Sequence, residues 1–307
     1  MSSLSVTTES AGSESGITLI IHAGAGGLGK NVTAEMRAQA EADLQHALDA
    51  GYSLLESGAS AEDAVVAAIH VMEDAPEFNA GRGAALTSDG IAQMDACLMT
   101  GDGEAGAVAG LSTVRNPIDA ARAVKDQTKH VLFEEPTDAQ IAAWGLATEP
   151  NDYFITERRR RSLAEAQRDG DDWEKHGTVG AVARDSAGRI AAGTSTGGIT
   201  NQMHGRVGDS PLPGCGTFAD DRTVAVSCTG IGEAFIKVVA AHQISDRVRF
   251  ADESVHDAAA ATLDEVEAHH GDGGIIVVPA SGHGLVAYNS ETMNYGYRSP
   301  NGSLVHV

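Results

Sequence analysis

Apolar residues recur along the chain in two spacings. From Thr33 to Ala50, Met36, Ala40, Leu44, Ala47 and Leu48 fall at helical intervals, and Gly51 is expected to close the segment. Ser60 with Asp63 three residues on predicts a capped helix start. Ala64, Val65, Ala68, Ile69 and Met72 then form one face up to Pro76. Shorter helices are expected at Pro117–Lys125, Asp138–Trp144, Glu157–Gln167, Glu233–His242 and Ser254–His269. The second spacing is strand-like. Ile17–His22 is a short apolar run ending in a glycine-rich turn, and Thr223–Cys228, Gly274–Val278 and Gly284–Tyr288 read as further strands. Thr178–Arg184 and Arg189–Ser195, joined by Asp185–Gly188, predict a hairpin of small residues. No repeat of 20–50 residues is visible.

Between the two halves, Tyr153–Gly177 changes texture. It carries Arg158–Arg161 in a row and then a polar run with almost no apolar periodicity, the composition of an exposed connector. The connector ends abruptly at the buried-looking strand that opens with Thr178.

Composition narrows the possible functions. The chain has 307 residues, enough for one large domain or two smaller ones. Its 43 acidic against 21 basic residues give a net charge of −22, which argues against a role resting on phosphate neutralisation and hence against nucleic acid. Only five of the bases are lysine. An acidic, lysine-poor surface suits a protein soluble in molar salt, and a halophilic source is expected. Cys97, Cys215 and Cys228 have no metal-ligand spacing and are expected to be buried, reduced thiols. Residues 1–15 are polar, carry no base, and are expected to fray as a disordered tail. Their lack of a signal-like start makes a cytoplasmic location the expectation.

Three motifs compete for the chemistry. Gly24 to Gly29 fits a dinucleotide-type glycine pattern and Gly24 to Lys30 a phosphate-loop pattern, but Asn31 replaces the magnesium-binding hydroxyl and no clean βαβ unit follows. Gly193–Gly197 formally fits an esterase elbow around Ser195, yet the Gly- and Pro-rich residues after it cannot form the required helix. The third is the junction Gly177-Thr178. Threonine needs a base, and a threonine at a chain start has one in its own α-amine, whose ordinary pKa is ~7.7–8.0. Cutting the bond between Gly177 and Thr178 would supply nucleophile and base from one residue. Gly177 tolerates the strained backbone that a hydroxyl-to-carbonyl attack requires.

Taken together, HGTVGAVARDSAGRIAAGTSTGG (176–198), GRVGDSPLPG (205–214) and VSCTGIGEAFIK (226–237) resemble the isoaspartyl peptidase / plant-type L-asparaginase family of N-terminal-nucleophile hydrolases. In the first half, IHAGAGG (21–27) and FNAGRGAALTSDGIAQMDA (78–96) match in place and order, so the resemblance covers nearly the whole chain beyond its first residues. It implies Thr178 as nucleophile freed by autocleavage after Gly177, with Thr196 hydrogen-bonded to it. It implies Thr229 and Gly230 as the oxyanion site, and Asn79 as the group holding the freed α-amine. Arg206 and Asp209 would grip the α-carboxylate and α-ammonium of an aspartyl substrate, in a pocket completed by Val207, Gly208, Ile231 and Gly232. The glycine loop at Gly24–Gly29 becomes tight packing behind the site. Two departures stand out: Ala23 where the family usually has glycine, and Gln93-Met94-Asp95-Ala96 for Glu-Leu-Asp-Ala, a change expected not to touch the site.

The resemblance further implies an α/β (α+β) fold, a four-layer αββα sandwich of the N-terminal-nucleophile hydrolase type. Residues 16–307 would form one domain, cut into 1–177 and 178–307, and the cut units would pair as homodimers. The implied reaction is hydrolysis of the β-amide of L-asparagine or of β-aspartyl peptides, releasing L-aspartate. No organic cofactor or catalytic metal is needed, and a structural sodium ion is expected on backbone carbonyls of Met72, Glu73, Ala75, Phe78, Ala80 and Arg82. An aspartylglucosaminidase-like amidase shares the machinery, but those enzymes are secretory or lysosomal. A nucleotide-binding protein using Gly24–Lys30 is the alternative from a different class.

Overall fold

A computed structural model describes residues 5–28, 32–170 and 177–307. The first segment gives strands β1 (Thr7–Ala11) and β2 (Thr18–Ala25). Helices α1 (Ala34–Glu56) and α2 (Ala61–Asp74) follow, then strands β3 (Met94–Thr100) and β4 (Ala105–Leu111) and helix α3 (Pro117–Gln127). The short strand β5 (Leu132–Glu134) leads to helices α4 (Asp138–Ala143) and α5 (Glu157–Asp169). Strands β6 (Val179–Arg184), β7 (Ile190–Thr196), β8 (Thr217–Ala219) and β9 (Val224–Gly230) come next. Helices α6 (Gly232–Val238), α7 (Ala240–Phe250) and α8 (Val255–Ala268) precede strands β10 (Gly273–Pro279), β11 (Gly284–Tyr288), β12 (Met293–Ser299) and β13 (Gly302–His306).

The strands form two sheets. One has the order β13-β12-β2-β6-β7-β3-β4-β5, the other β1-β11-β10-β9-β8. Strand alternation then sorts the side chains into three cores. On β2 and β6, Leu19, Ile21, Val179 and Ala181 face α1 and α2, joining Leu44, Leu48, Val65 and Ile69. On β9, Val224, Val226 and Cys228 face α6–α8 with Phe235, Ile244 and Leu263. Between the sheets lie Ile20, Val182, Ala192, Ala225, Ile276 and Val286. Three cores separate four layers, αββα, as the resemblance implied. Among the described residues no helix is long and apolar enough to cross a membrane.

Several expectations need correction. The polar opening does not fray to residue 15: Thr7–Ala11 pairs antiparallel with Gly284–Tyr288 at the sheet edge, with Thr8 Oγ1 2.7 Å from His256 Nε2. An edge strand needs only backbone partners, so alternate threonine and polar side chains serve it as well as apolar ones. Gly51 does not end α1 but lies inside it. A Cβ there would press on Ala64 O and Leu19, so the glycine marks where α1 crosses α2 closely. The helix expected over Glu233–His242 is two, α6 and α7, broken at Val239 with φ +52°. Of the thiols, Cys97 and Cys228 are buried but Cys215 is partly exposed. Ser60 caps α2 as read, its Oγ accepting from Asp63 N at 3.1 Å. Of the expected connector, residues 171–176 lie outside the described residues, as do Gly29, Lys30 and Asn31 of the glycine loop.

Candidate active site

The same alternation that builds the inter-sheet core brings chemistry to one end of it. Ser227 and Thr229 follow Ala225 on the inner face of β9, and Thr194 and Thr196 follow Ala192 on that of β7. Thr178, immediately before β6, shares the inward parity of Val182. Ser195 has the opposite parity. It is fully buried on the helix side and donates to Glu73 Oε1 at 2.6 Å, which removes it as an exposed esterase nucleophile.

Thr178 is 8% exposed. Its Oγ1 lies 3.0 Å from Thr196 Oγ1, and its nitrogen donates to Thr229 Oγ1 at 3.3 Å. Thr229 Oγ1 also accepts from Ala25 N at 3.4 Å, so the end of β2 helps to hold it. Thr196 Oγ1 in turn accepts from Gly198 N at 3.1 Å. Asn79 braces that turn: its Nδ2 donates to Gly198 O at 2.6 Å and its Oδ1 accepts from Ala85 N at 2.7 Å. Gly24 and Gly177 meet backbone to backbone. A Cβ on either would collide with the other's Cα, so the glycine loop does pack behind the junction.

The 204–209 loop and the start of α6 form the polar wall. Arg206 pairs through Nε and Nη2 with both oxygens of Glu233, each at 3.0 Å, leaving its Nη1 edge beside Gln202 Oε1 at 3.4 Å. Asp209 is 5% exposed, and its Oδ2 is buried without a hydrogen-bond partner. Burial pushes its carboxyl up to about 7, opposed by its own backbone N–H and by Arg206, and reinforced by Glu233 and Asp95. Gly232 lies against Asp209 Oδ1 and Arg206 Nη2, where a Cβ would fall 2.8 and 3.0 Å away. Gly208 is buried beneath the guanidinium, with Val207 and Ile231 half-buried on either side. Gly230, at φ +144°, carries the chain from β9 into this wall.

Thr178, Thr196, Thr229 and Gly230 are thus brought to one place, with Arg206, Asp209 and Gly232 forming the adjoining wall. Four neighbours were missed. Glu233 lies inside a quoted block but reads as an exposed helix-start acid. Asp95 lies in the 93–96 segment, whose departure from the family was expected not to touch the site; it pairs across β3 and β7 with Thr196, accepts from Gly110 N at 2.9 Å and from the Gly208 backbone, and is pushed up to about 6 by burial. Gln93 accepts from Gly205 N at 3.2 Å, so the 93–96 segment does support the 204–209 loop. The fourth is His22, fully buried, with Nδ1 2.9 Å from Thr178 O and Nε2 2.9 Å from Ser227 Oγ. Its contacts join β2, β9 and the residue that opens β6, which no local pattern reveals.

Comparison with known proteins places the chain in a family. A family model described as Asparaginase matches residues 15–306. The chain is similar to the isoaspartyl peptidase of Salmonella typhimurium, 41% identical over 290 residues that cover 90% of this chain and 93% of the relative. It is 40% identical to the Escherichia coli isoaspartyl peptidase, with 90% of each covered, and 38% identical to the Homo sapiens isoaspartyl peptidase/L-asparaginase, with 90% and 91% covered.

Proposed function

The chain belongs to the asparaginase family, and from that membership we propose that it is a self-processing threonine hydrolase acting on L-asparagine and β-aspartyl peptides. The carrying observation is the cluster of Thr178, Thr196 and Thr229 hydroxyls at the head of β6, beside the half-buried Arg206 and buried Asp209.

Cleavage between Gly177 and Thr178 turns the Thr178 nitrogen from a peptide N–H into an amine. That amine takes the proton from Thr178 Oγ1 as the oxygen attacks the side-chain carbonyl of the substrate. Thr196 Oγ1, 3.0 Å away, orients the attacking hydroxyl. Thr229 Oγ–H and the Gly230 N–H face the tetrahedral oxyanion, a kind of contact whose loss typically costs ~10²–10³ in rate. The amine then protonates the departing ammonia or peptide amine, leaving a β-aspartyl ester on Thr178. Water hydrolyses the ester and releases L-aspartate.

Recognition follows from charge. Glu233 occupies the Nε/Nη2 edge of Arg206, so the Nη1 edge is the one presented to the substrate α-carboxylate. The unpartnered Asp209 Oδ2 suits the α-ammonium. Gly232 leaves the space between them open. Both substrate classes present the same aspartyl end and differ only in what departs.

The same reading gives 178–307 as the nucleophile-bearing chain of a two-chain unit and makes the mature protein a pair of such units, which native mass reads directly. It also assigns a structural sodium to the carbonyl-rich loop after α2. In support, the carbonyls of Pro76 and Phe78 both face the space beside Gly83. An oxygen-only donor set of that kind suits a hard cation.

The test is Thr178→Ala. It is expected to abolish both self-cleavage and hydrolysis of L-asparagine and a β-aspartyl dipeptide while leaving the fold intact by circular dichroism. Hydrolysis persisting in that protein would overturn the assignment.

A further inference from the structure

A run of buried hydrogen bonds leads from the five-stranded sheet to the carbonyl of Thr178. His22, Ser227, Thr194 and Thr217 are all fully buried. Thr217 Oγ1 lies 2.7 Å from Thr194 Oγ1, which lies 2.7 Å from Ser227 Oγ; Ser227 Oγ lies 2.9 Å from His22 Nε2, and His22 Nδ1 lies 2.9 Å from Thr178 O. The stretch is polar amid an otherwise apolar inter-sheet core, and it ends on the one residue the reaction centres on.

Its direction follows from proton bookkeeping. A carbonyl oxygen only accepts, so the proton of a neutral His22 is on Nδ1 and Nε2 is bare. Ser227 has a single proton and gives it to Nε2. Ser227 oxygen then accepts from Thr194, which turns the Thr194 proton away from its weaker acceptor, Gly216 O at 3.3 Å. One acceptor at the end of the run sets every donor from Thr194 to Thr178. Burial keeps the ring neutral: it holds the imidazole down to about 3, against the upward pull of the Thr178 hydrogen bond.

Gly180 shows that the backbone makes room for this run. It faces His22 across the β2–β6 ladder, and a Cβ there would collide with both Ser227 Oγ and His22 Nε2. Any other residue two positions after Thr178 would sever the His22–Ser227 link.

We propose that His22 is a positioning residue that holds the Thr178 carbonyl through an oriented Thr194–Ser227–His22 relay, fixing the nucleophile once self-cleavage has cut its N-terminal tether. The inference rests on Thr178 being the nucleophile. Before cleavage Thr178 is held from both sides along the chain. Afterwards its amine and hydroxyl are aimed only by side-chain contacts and by what grips its carbonyl and the strand beyond. A fixed carbonyl fixes the rotation that sets amine against hydroxyl, and small misplacements of reacting groups are costly in rate.

The experiment has two arms. In wild-type protein, long-range ¹H–¹⁵N imidazole spectra should show one of the twelve histidines, identified by its loss in His22→Asn, as the neutral Nδ1–H tautomer unchanged from pH 5.5 to 8.5. An Nε2–H tautomer, or a ring that titrates in that window, would overturn the proposal. In the second arm, kcat is normalised to the cleaved fraction read by intact mass. His22→Leu removes the donor and should lower kcat by ~10²-fold with KM within ~3-fold. His22→Asn keeps an N–H near the Nδ1 position and should recover kcat to within ~10-fold of wild type. Equal impairment in both variants, or wild-type kcat in both, contradicts a positioning role. Failure of the underlying functional reading shows separately, as turnover by Thr178→Ala. Failure of this inference leaves Thr178→Ala inactive while the His22 arms go the wrong way.

Discussion

In the proposed reading Asp209 meets two opposed demands: it must be ionised to hold an ammonium, yet it sits where burial raises its carboxyl to about 7. In the free enzyme it therefore takes up a proton as pH falls through neutrality, and the protonated form cannot pair with the substrate α-ammonium. The Thr178 α-amine, with an ordinary pKa of ~7.7–8.0, must be unprotonated to act as base and titrates nearby. Both protonations lower kcat/KM, whereas bound substrate keeps Asp209 ionised, so the amine alone governs kcat. On the acid side, log(kcat/KM) is expected to approach a slope of two against pH and log kcat a slope of one. Equal slopes from a steady-state pH series would show that Asp209 does not receive the ammonium. At this scale much of the site was legible. Thr178, Thr196 and Thr229 lie in blocks whose order carried the resemblance, and the Gly177–Thr178 junction had its own chemical logic. Glu233, Asp95 and His22 were not legible, because each acts across a strand or helix boundary on a residue far away in sequence.

Elements were legible where periodicity was strong and local. The Ser60 cap, the α2 face and the β6–β7 hairpin all appear as the pattern implied. The strands β1, β3, β4, β5, β8, β12 and β13 went unread, some because they are short and others because runs such as MDACLMT and AGAVAGL are buried or covered without clean alternation. Gly51 is the instructive error. As a helix stop it follows the usual punctuation rule, but its missing side chain is used for packing, because α1 passes over Ala64 and Ala68 of α2 at that point. Gly51→Ala gains helix propensity, worth about 1 kcal/mol, and overfills the crossing, at a cost of about 1–3 kcal/mol. Net destabilisation is expected, read as a lower denaturant midpoint at unchanged m-value. A raised midpoint would mean the crossing is looser than the contacts imply.

The whole molecule carries −22 on one sandwich, spread over acids that outnumber bases two to one. Such charge repels itself at low ionic strength and is screened within ~10 Å at 0.1 M and ~3 Å at 1 M salt. We propose that the surface is adapted to high salt, and stability is expected to rise from low to molar salt. The cation separates two causes. Screening acts equally in sodium chloride and choline chloride, whereas an ion held in the loop after α2 adds stability in sodium alone, by mass action. Flat melting temperatures in both salts would contradict the salt adaptation, and identical curves in the two would contradict the sodium. In the sequence both proposals rest on composition and resemblance alone, because charge density says nothing of fold and carbonyl ligands leave no mark in side chains.

The catalytic expectations all depend on Thr178 becoming a chain start. Intact mass spectrometry of the purified protein, after incubation in low and in molar salt, tests that most directly. The account predicts two species whose masses place the break between Gly177 and Thr178, appearing together with hydrolysis of L-asparagine or a β-aspartyl dipeptide. A fully active chain that stays uncut, or a break at any other bond, would contradict it.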